Sequence, residues 1–284
     1  MLKLVQWPLR ALIKVVLSGR AGWPSQATPS TFGLAYEEVV FSSRDGVQLS
    51  GWILPHSKAR GLILTCHGIF GTRRSMLRKA AWLHKRGFAS LLFDFRGRGG
   101  SAGSHCSLGV HEPLDVSAAI DYIQSRPDLK CLPLGALAES LGAAALVSAL
   151  RHDQHLKAAC LEACFATLKE AVWKRCWVLT GPFASLVYPW VLNHLQNDWK
   201  LDVNLVDPLQ TIGQVGRPLL LIHDQLDWSL PLATSQRLYH QAAHPKQLWI
   251  APHSLHCRAS LMARRAYQKT VGDFLQQHLV TGEF

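Results

Sequence analysis

The first 36 residues of this 284-residue chain contain no aspartate or glutamate. Acids stay scarce afterwards, 19 in all against 30 lysines and arginines, so the formal charge is +11 with 14 histidines uncounted. A surplus of that size favours anionic surfaces or anionic substrates. No nucleic-acid recognition motif accompanies it, and nucleic acid is not an expected partner. The seven cysteines show no Cys-x-x-Cys; the nearest pair, Cys160 and Cys164, is four apart. An odd, unpaired set fits a reducing compartment better than a disulfide framework. His105, Cys106, His111 and Glu112 match no zinc spacing, so no metal is expected. The stretch Asp94–Ser101 is glycine-rich but lacks the lysine and the following helix of a phosphate-binding loop. Internal repeats and low-complexity tracts are also missing.

Long apolar runs are missing too. Lys3, Arg10, Lys14 and Arg20 interrupt Leu2, Leu4, Val5, Leu9, Leu12, Ile13, Val15, Val16 and Leu17 too often for a transmembrane helix. No small-residue cleavage site follows, which argues against a cleaved signal peptide. A basic amphipathic segment lying in a membrane interface fits the pattern. A helix docked on its own domain or on a partner is the other reading. Pro8 should start or kink this helix near Trp7. Residues 1–33 are thus read as this segment plus a linker from Gly22 to Gly33, with anionic membrane as the expected contact of residues 1–20. The expected location is cytoplasmic, peripheral to the inner face of the membrane.

What is present from residue 34 onward is a rhythm of short apolar strands and helical patterns. Glu38–Ser43 and Val47–Pro55 alternate around Arg44-Asp45-Gly46, a hairpin signal. Leu62–Cys66, Ala89–Phe93, Leu132–Leu137, Ala158–Glu162, Leu219–His223 and Gln247–Ala251 read as strands. Between them Ser75–Arg86, Glu112–Ser125, Leu141–His152, Leu232–Ala242 and Ala259–His278 read as helices. The alternation predicts an α/β domain over 34–284 with a mostly parallel sheet and helices on both faces. Residues 163–207 break the rhythm and carry Trp173, Trp177, Trp190 and Trp199.

Ser140 lies in Ala138-Glu139-Ser140-Leu141-Gly142, between a strand and an alanine-rich helix. Small residues two before and two after a serine suit a nucleophile elbow, where strand and helix backbones nearly touch. An ordinary helix N-cap is the bland alternative. An acid-bearing strand end, Ile222-His223-Asp224-Gln225-Leu226-Asp227, and a late histidine, His256, follow in that order. Nucleophile, acid, histidine is the chain order of one fold, and on these segments the chain resembles the α/β-hydrolase superfamily from about Tyr36 to its end. It is most similar to the bacterial serine-hydrolase branch with a short cap, whose eukaryotic relatives include membrane-associated acyl-protein hydrolases.

The resemblance implies an α/β-hydrolase fold whose cap is the insertion 163–207. Ser140 is then the nucleophile, His256 its base and Asp227 the orienting acid, with His253 and Asp224 as competitors for the last two roles. Pro231, which starts the next helix, supports Asp227. The oxyanion donors are expected to be the amides of Leu141 and of Ile69 or Phe70, with His67 bracing that loop and Asp94 and Arg96 forming a supporting ion pair. Phe70, Trp173 and Trp177 are assigned to an apolar acyl pocket beneath the cap. The expected activity is hydrolysis of a carboxylic ester or thioester through an acyl-enzyme, with no cofactor and a small-molecule or lipid-like acyl ester as substrate. A peptidase of prolyl-oligopeptidase type and a non-catalytic, membrane-bound interaction module are the alternatives.

Overall fold

The computed structural model describes residues 2–18 and 26–281. Eight strands form one sheet: β1 (Glu37–Ser42), β2 (Gln48–Leu54), β3 (Leu62–Cys66), β4 (Ala89–Phe93), β5 (Leu134–Glu139), β6 (Leu156–Glu162), β7 (Leu219–Asp224) and β8 (Lys246–Ala251). Their spatial order is β1-β2-β4-β3-β5-β6-β7-β8. The hairpin β1–β2 and the β2–β4 pair are antiparallel, and every later pairing is parallel.

The helices are α1 (Leu2–Leu17), α2 (Leu77–Lys85), α3 (Glu112–Ser125), α4 (Leu141–Ala149), α5 (Leu168–Thr180), α6 (Ala184–Asn197), α7 (Pro208–Ile212), α8 (Leu232–Gln241), α9 (Ala259–Met262) and α10 (Arg264–Leu275). The single C-terminal helix expected over 259–278 is thus divided at Ala263. Helix α1 runs through Pro8 rather than starting at it. Residues 22–25 of the expected linker lie outside the described residues, as does Arg20; its remainder includes a short 3-10 turn, Pro29–Phe32.

Strand side chains alternate between two cores, as a two-residue period requires. Leu62, Leu64, Leu91, Phe93, Leu219 and Leu221 face one layer with α3, α4 and α8. Ile63, Leu92, Leu137, Leu220 and Ile222 face the other with α2 and α10. Both faces being buried explains why the inner strands β3 to β7 read as continuous apolar runs. Helix α4 leans closely on the sheet because Ala143, Ala144 and Ala145 are all small and fully buried.

Between β6 and β7 the chain leaves the sheet and builds α5 and α6 over the C-terminal strand ends. Thr167 caps α5 by accepting from the Glu170 amide at 3.1 Å. Glu170 in turn receives Arg237 of α8 in a two-bond pair, 3.0 Å each, which ties the insertion to the sheet layer. The tryptophans pack this insertion. Trp173 stands edge-on to Tyr188 at 5.3 Å, Trp190 stacks on His194 at 5.2 Å, and Trp199 meets His105 at 5.1 Å. No helix among the described residues is long and apolar enough to cross a membrane.

Candidate active site

Ser140 sits at the turn from β5 into α4 with φ 49 and ψ −113, a positive-φ conformation that costs a non-glycine residue energy. The Ser140 amide donates to the Glu162 carbonyl at 2.8 Å, which fixes the turn against β6. A side chain at Gly142 would place Cβ 2.5 Å from the Cys66 carbonyl oxygen. Only glycine permits that approach of α4 to β3. The loop after β3 also passes beside the serine: a Cβ on Gly68 would stand in ordinary contact, 3.6 Å, with that of Ser140.

His256 joins two partners. Its Nε2 lies 3.2 Å from Ser140 Oγ and its Nδ1 lies 2.5 Å from Asp227 Oδ2. The other Asp227 oxygen accepts from the Ser229 amide at 2.8 Å, the Ser229 hydroxyl at 2.7 Å and the Leu230 amide at 3.0 Å. Burial by itself would raise the Asp227 pKa, but these bonds and the His256 charge hold it below its usual value. Burial likewise opposes a charged His256, yet Asp227, with Asp224 and Glu162 farther off, raises its pKa above the ordinary histidine value. The pair thus keeps an ionised carboxylate against a readily protonated imidazole.

The competing residues have other partners. Asp224 accepts from the Ser254 hydroxyl at 2.5 Å and from the Cys257 amide at 2.8 Å. It staples β7 to the histidine loop, and burial pushes its pKa up to about 6. His253, also at positive φ, is exposed, and its amide donates to Gln225 Oε1 at 2.9 Å. His67 is fully buried; its Nδ1 meets the Gly68 carbonyl at 2.8 Å and its Nε2 accepts from the Phe95 amide at 3.1 Å. That arrangement fixes one neutral tautomer and locks the loop carrying Ile69 and Phe70 to the end of β4.

A cavity of about 490 Å³ opens from Ser140 and His256. Ile69, Phe70 and Leu141 line it near the serine. Beyond them the wall is aliphatic, with Val172, Leu179, Val187 and Val191 from α5 and α6. Helix α1 supplies Leu12, Ile13, Val16 and Leu17 to the same wall. Trp173 and Trp177, expected in this pocket, instead line a neighbouring cavity with Pro231, Thr234 and Arg237. The helical period explains it: residues 172, 175, 176 and 179 share the inward face of α5, and 173 and 177 are rotated off it. Trp228, beside the acid, is the tryptophan that lines the pocket.

The loop after β4 departs from expectation as well. Asp94 and Arg96 leave it on different sides and do not pair. Asp94 receives the Arg73 amide at 2.6 Å, with Arg73 Nε at 3.4 Å. Arg96 grips Asp115 of α3 and Asp45 of the hairpin, each through two guanidinium nitrogens. Arg98, only 2% exposed, donates to the carbonyls of Ser18 at 2.6 Å and Val16 at 2.5 Å. These are carbonyls at the C-terminal end of α1, where a helix lacks internal partners. The Cys106 amide adds a bond to the Leu17 carbonyl at 2.8 Å, and Leu17 is buried. The C-terminal end of α1 therefore docks on its own domain.

Sequence reasoning missed Arg98, Trp228 and a charged cluster behind the serine. Lys79 of α2 is buried and bonds Glu139 and, at 2.5 Å, Glu162. Glu139 precedes Ser140, so this cluster anchors the elbow from below. A lysine inside an amphipathic helix gives no signal of such a role. Among the described residues no group of three or more histidine, cysteine, aspartate and glutamate side chains is arranged to hold a metal ion.

Known proteins share this architecture. The chain is 29% identical over 251 residues to an uncharacterized protein of Mycobacterium tuberculosis, covering 88% of this chain and 82% of that one. It is 28% identical over 247 residues to the Escherichia coli protein YfhR, covering 84% and 80%. Among solved structures, the Pyrococcus furiosus esterase Pf2001 superposes with a TM-score of 0.76 at 22% identity, covering 91% of this chain and 97% of the esterase. A dienelactone hydrolase from Anabaena variabilis gives 0.64 at 18%, covering 87% and 99%. Both likenesses are of fold. Residues 57–210, more than half of the chain, match the family model described as Serine aminopeptidase, S33, and the chain belongs to that family of α/β hydrolases.

Proposed function

We propose that the protein is a serine hydrolase that cleaves carboxylic esters or thioesters of apolar acyl groups through a covalent acyl-enzyme. The observation that carries this reading is the hydrogen-bonded chain Ser140–His256–Asp227 at the mouth of an aliphatic cavity. As Ser140 Oγ attacks the acyl carbon, its proton passes to His256 Nε2, and Asp227 stabilises the imidazolium through Nδ1–H. The carbonyl oxygen becomes an oxyanion facing the amides of Leu141, at the start of α4, and of Ile69. Collapse expels the leaving group, which takes the proton from Nε2. Water then gives its proton to His256, attacks the acyl-serine and releases the acid, and Ser140 recovers the proton.

The apolar wall supports an acyl chain over a peptide. An aminopeptidase must bind a cationic amine, and among the described residues lining the pocket there is no carboxylate. Asp227 is close by, but its side chain is fully covered and engaged by His256 and Ser229. The test is kcat/KM for nitrophenyl esters, acyl-CoAs and aminoacyl nitroanilides on one preparation. Turnover of the esters or acyl-CoAs that vanishes in Ser140→Ala is expected. Turnover of the anilides alone would overturn the reading in favour of a peptidase.

A further inference from the structure

We propose that the mouth of this pocket is a docking face for an anionic lipid bilayer, and that the ester cleaved at Ser140 belongs to a lipid whose acyl chain slides from the bilayer into the cavity. The second half rests on the function proposed above; the first half does not.

The pocket is ringed by apolar side chains that both line it and face solvent: Leu12, Phe70, Val178, Leu179 and Trp228. The same surface continues outward through Val15 of α1 and through Phe183 and Leu186 at the α5–α6 corner, which are 65% and 72% exposed. Large apolar residues gathered around one opening mark a surface that meets an apolar partner. Most of them lie on two segments whose charge is of one sign. No aspartate or glutamate occurs from residue 2 to residue 36, or from 171 to 197. Lys174 and Arg175 stand at the mouth, the Arg175 guanidinium 5.7 Å from the Trp228 ring centre. Arg10 and Lys14 are exposed on α1.

Apolar residues flanked by cations suit the boundary between acyl chains and anionic headgroups. A second copy of this chain fits poorly. A two-fold contact would bring the same four cations of both copies together with no acid from these segments to offset them. The docked end of α1 gives the face its shape: Arg98 and the buried Leu17 hold the helix so that its next turns form one lip of the opening. An acyl chain leaving the bilayer at that lip would not cross water to reach Ser140.

The experiment uses the full chain with Ser140→Ala, so that no turnover alters the lipid. Vesicles of phosphatidylcholine, with and without phosphatidylserine, are sedimented with the protein at low and high salt. Binding to the phosphatidylserine vesicles, weakened by salt, is expected. Lys14→Gln should lower the partition coefficient roughly fivefold. Phe183→Ser with Leu186→Ser, which lie outside the pocket lining, should lower it more than about tenfold. Equal partitioning of all these variants, or no preference for phosphatidylserine, would overturn the proposal. So would loss of concentration-dependent self-association in the Phe183→Ser, Leu186→Ser protein, since a second copy would then be the occupant. With Ser140 restored, that double variant should hydrolyse monomeric nitrophenyl butyrate at the native rate and lose turnover of a long-chain ester carried in anionic vesicles. Vesicle binding without hydrolysis of either ester would uphold the docking face and overturn the lipid ester.

Discussion

Replacing Arg98 by methionine should release α1 and change which acyl chains the enzyme accepts. Arg98 donates to the Ser18 and Val16 carbonyls at 2.6 and 2.5 Å from a nearly covered position. A hydrogen bond from a charged donor is worth about 1.5–3 kcal/mol, so two supply roughly 3–6. Arg98 Nε is buried without a partner, which returns about 1–3 kcal/mol. The net is about 0–5 kcal/mol, centred near 2.5. Against it stand the buried Leu17 side chain, about 2 kcal/mol, and the Cys106–Leu17 backbone bond, about 1. Arg98 is thus comparable to these two together among the described contacts of α1, and its loss should free the helix end while the sheet stays folded. Leu12, Ile13 and Val16 would then leave the pocket wall. If they cover two or three methylenes of a bound chain at about 0.8 kcal/mol each, kcat/KM for long esters falls roughly tenfold to fiftyfold. Short esters, which end before the wall, should be unaffected. The assay is kcat/KM for nitrophenyl esters from acetate to laurate, paired with amide exchange over residues 10–18. Rapid exchange there with an unchanged chain-length profile would refute the reasoning.

Four further outcomes are expected. His256→Ala should cut ester turnover by several orders of magnitude while His253→Ala, whose side chain is exposed, changes kcat/KM less than about threefold; the reverse pattern would move the base. Activity requires neutral His256, whose pKa is raised above its ordinary value, so kcat/KM should climb with pH through that raised pKa and fall about tenfold per unit below it. Asp224→Asn removes a charge that favours the imidazolium and should move this limb to lower pH, read from the same profile. Trp173→Ala with Trp177→Ala should leave chain-length preference intact and lower the melting temperature, because Trp173 packs on Tyr188 and both line the neighbouring cavity.

The inner strands β3 to β7 were legible because they are buried on both faces and read as apolar runs, and the β1–β2 hairpin through its alternation around a turn. The elbow was legible because sterics at Gly142 restrict the residue type. Residues 163–207 stood out through the interrupted rhythm, but not the facing of their side chains. Trp173 and Trp177 are rotated off the inward face by helical geometry, a detail that depends on how α5 lies on the sheet. The docking of α1 was illegible for another reason. Its anchor, Arg98, is 80 residues beyond Ser18 and binds backbone carbonyls, which leave no trace in side-chain pattern. Asp94 and Arg96 show the same limit: nearness along a loop predicted a pair, and the turn of the loop sent them to Arg73 and Asp115.

The central claim is that Ser140 is an activated nucleophile, and covalent labelling tests it most directly. The purified protein is treated with a fluorophosphonate and its tryptic peptides are weighed. One adduct on the peptide carrying Ser140 is predicted, absent after Ser140→Ala and strongly slowed after His256→Ala. An unlabelled protein, or labelling that persists in Ser140→Ala, would contradict the account.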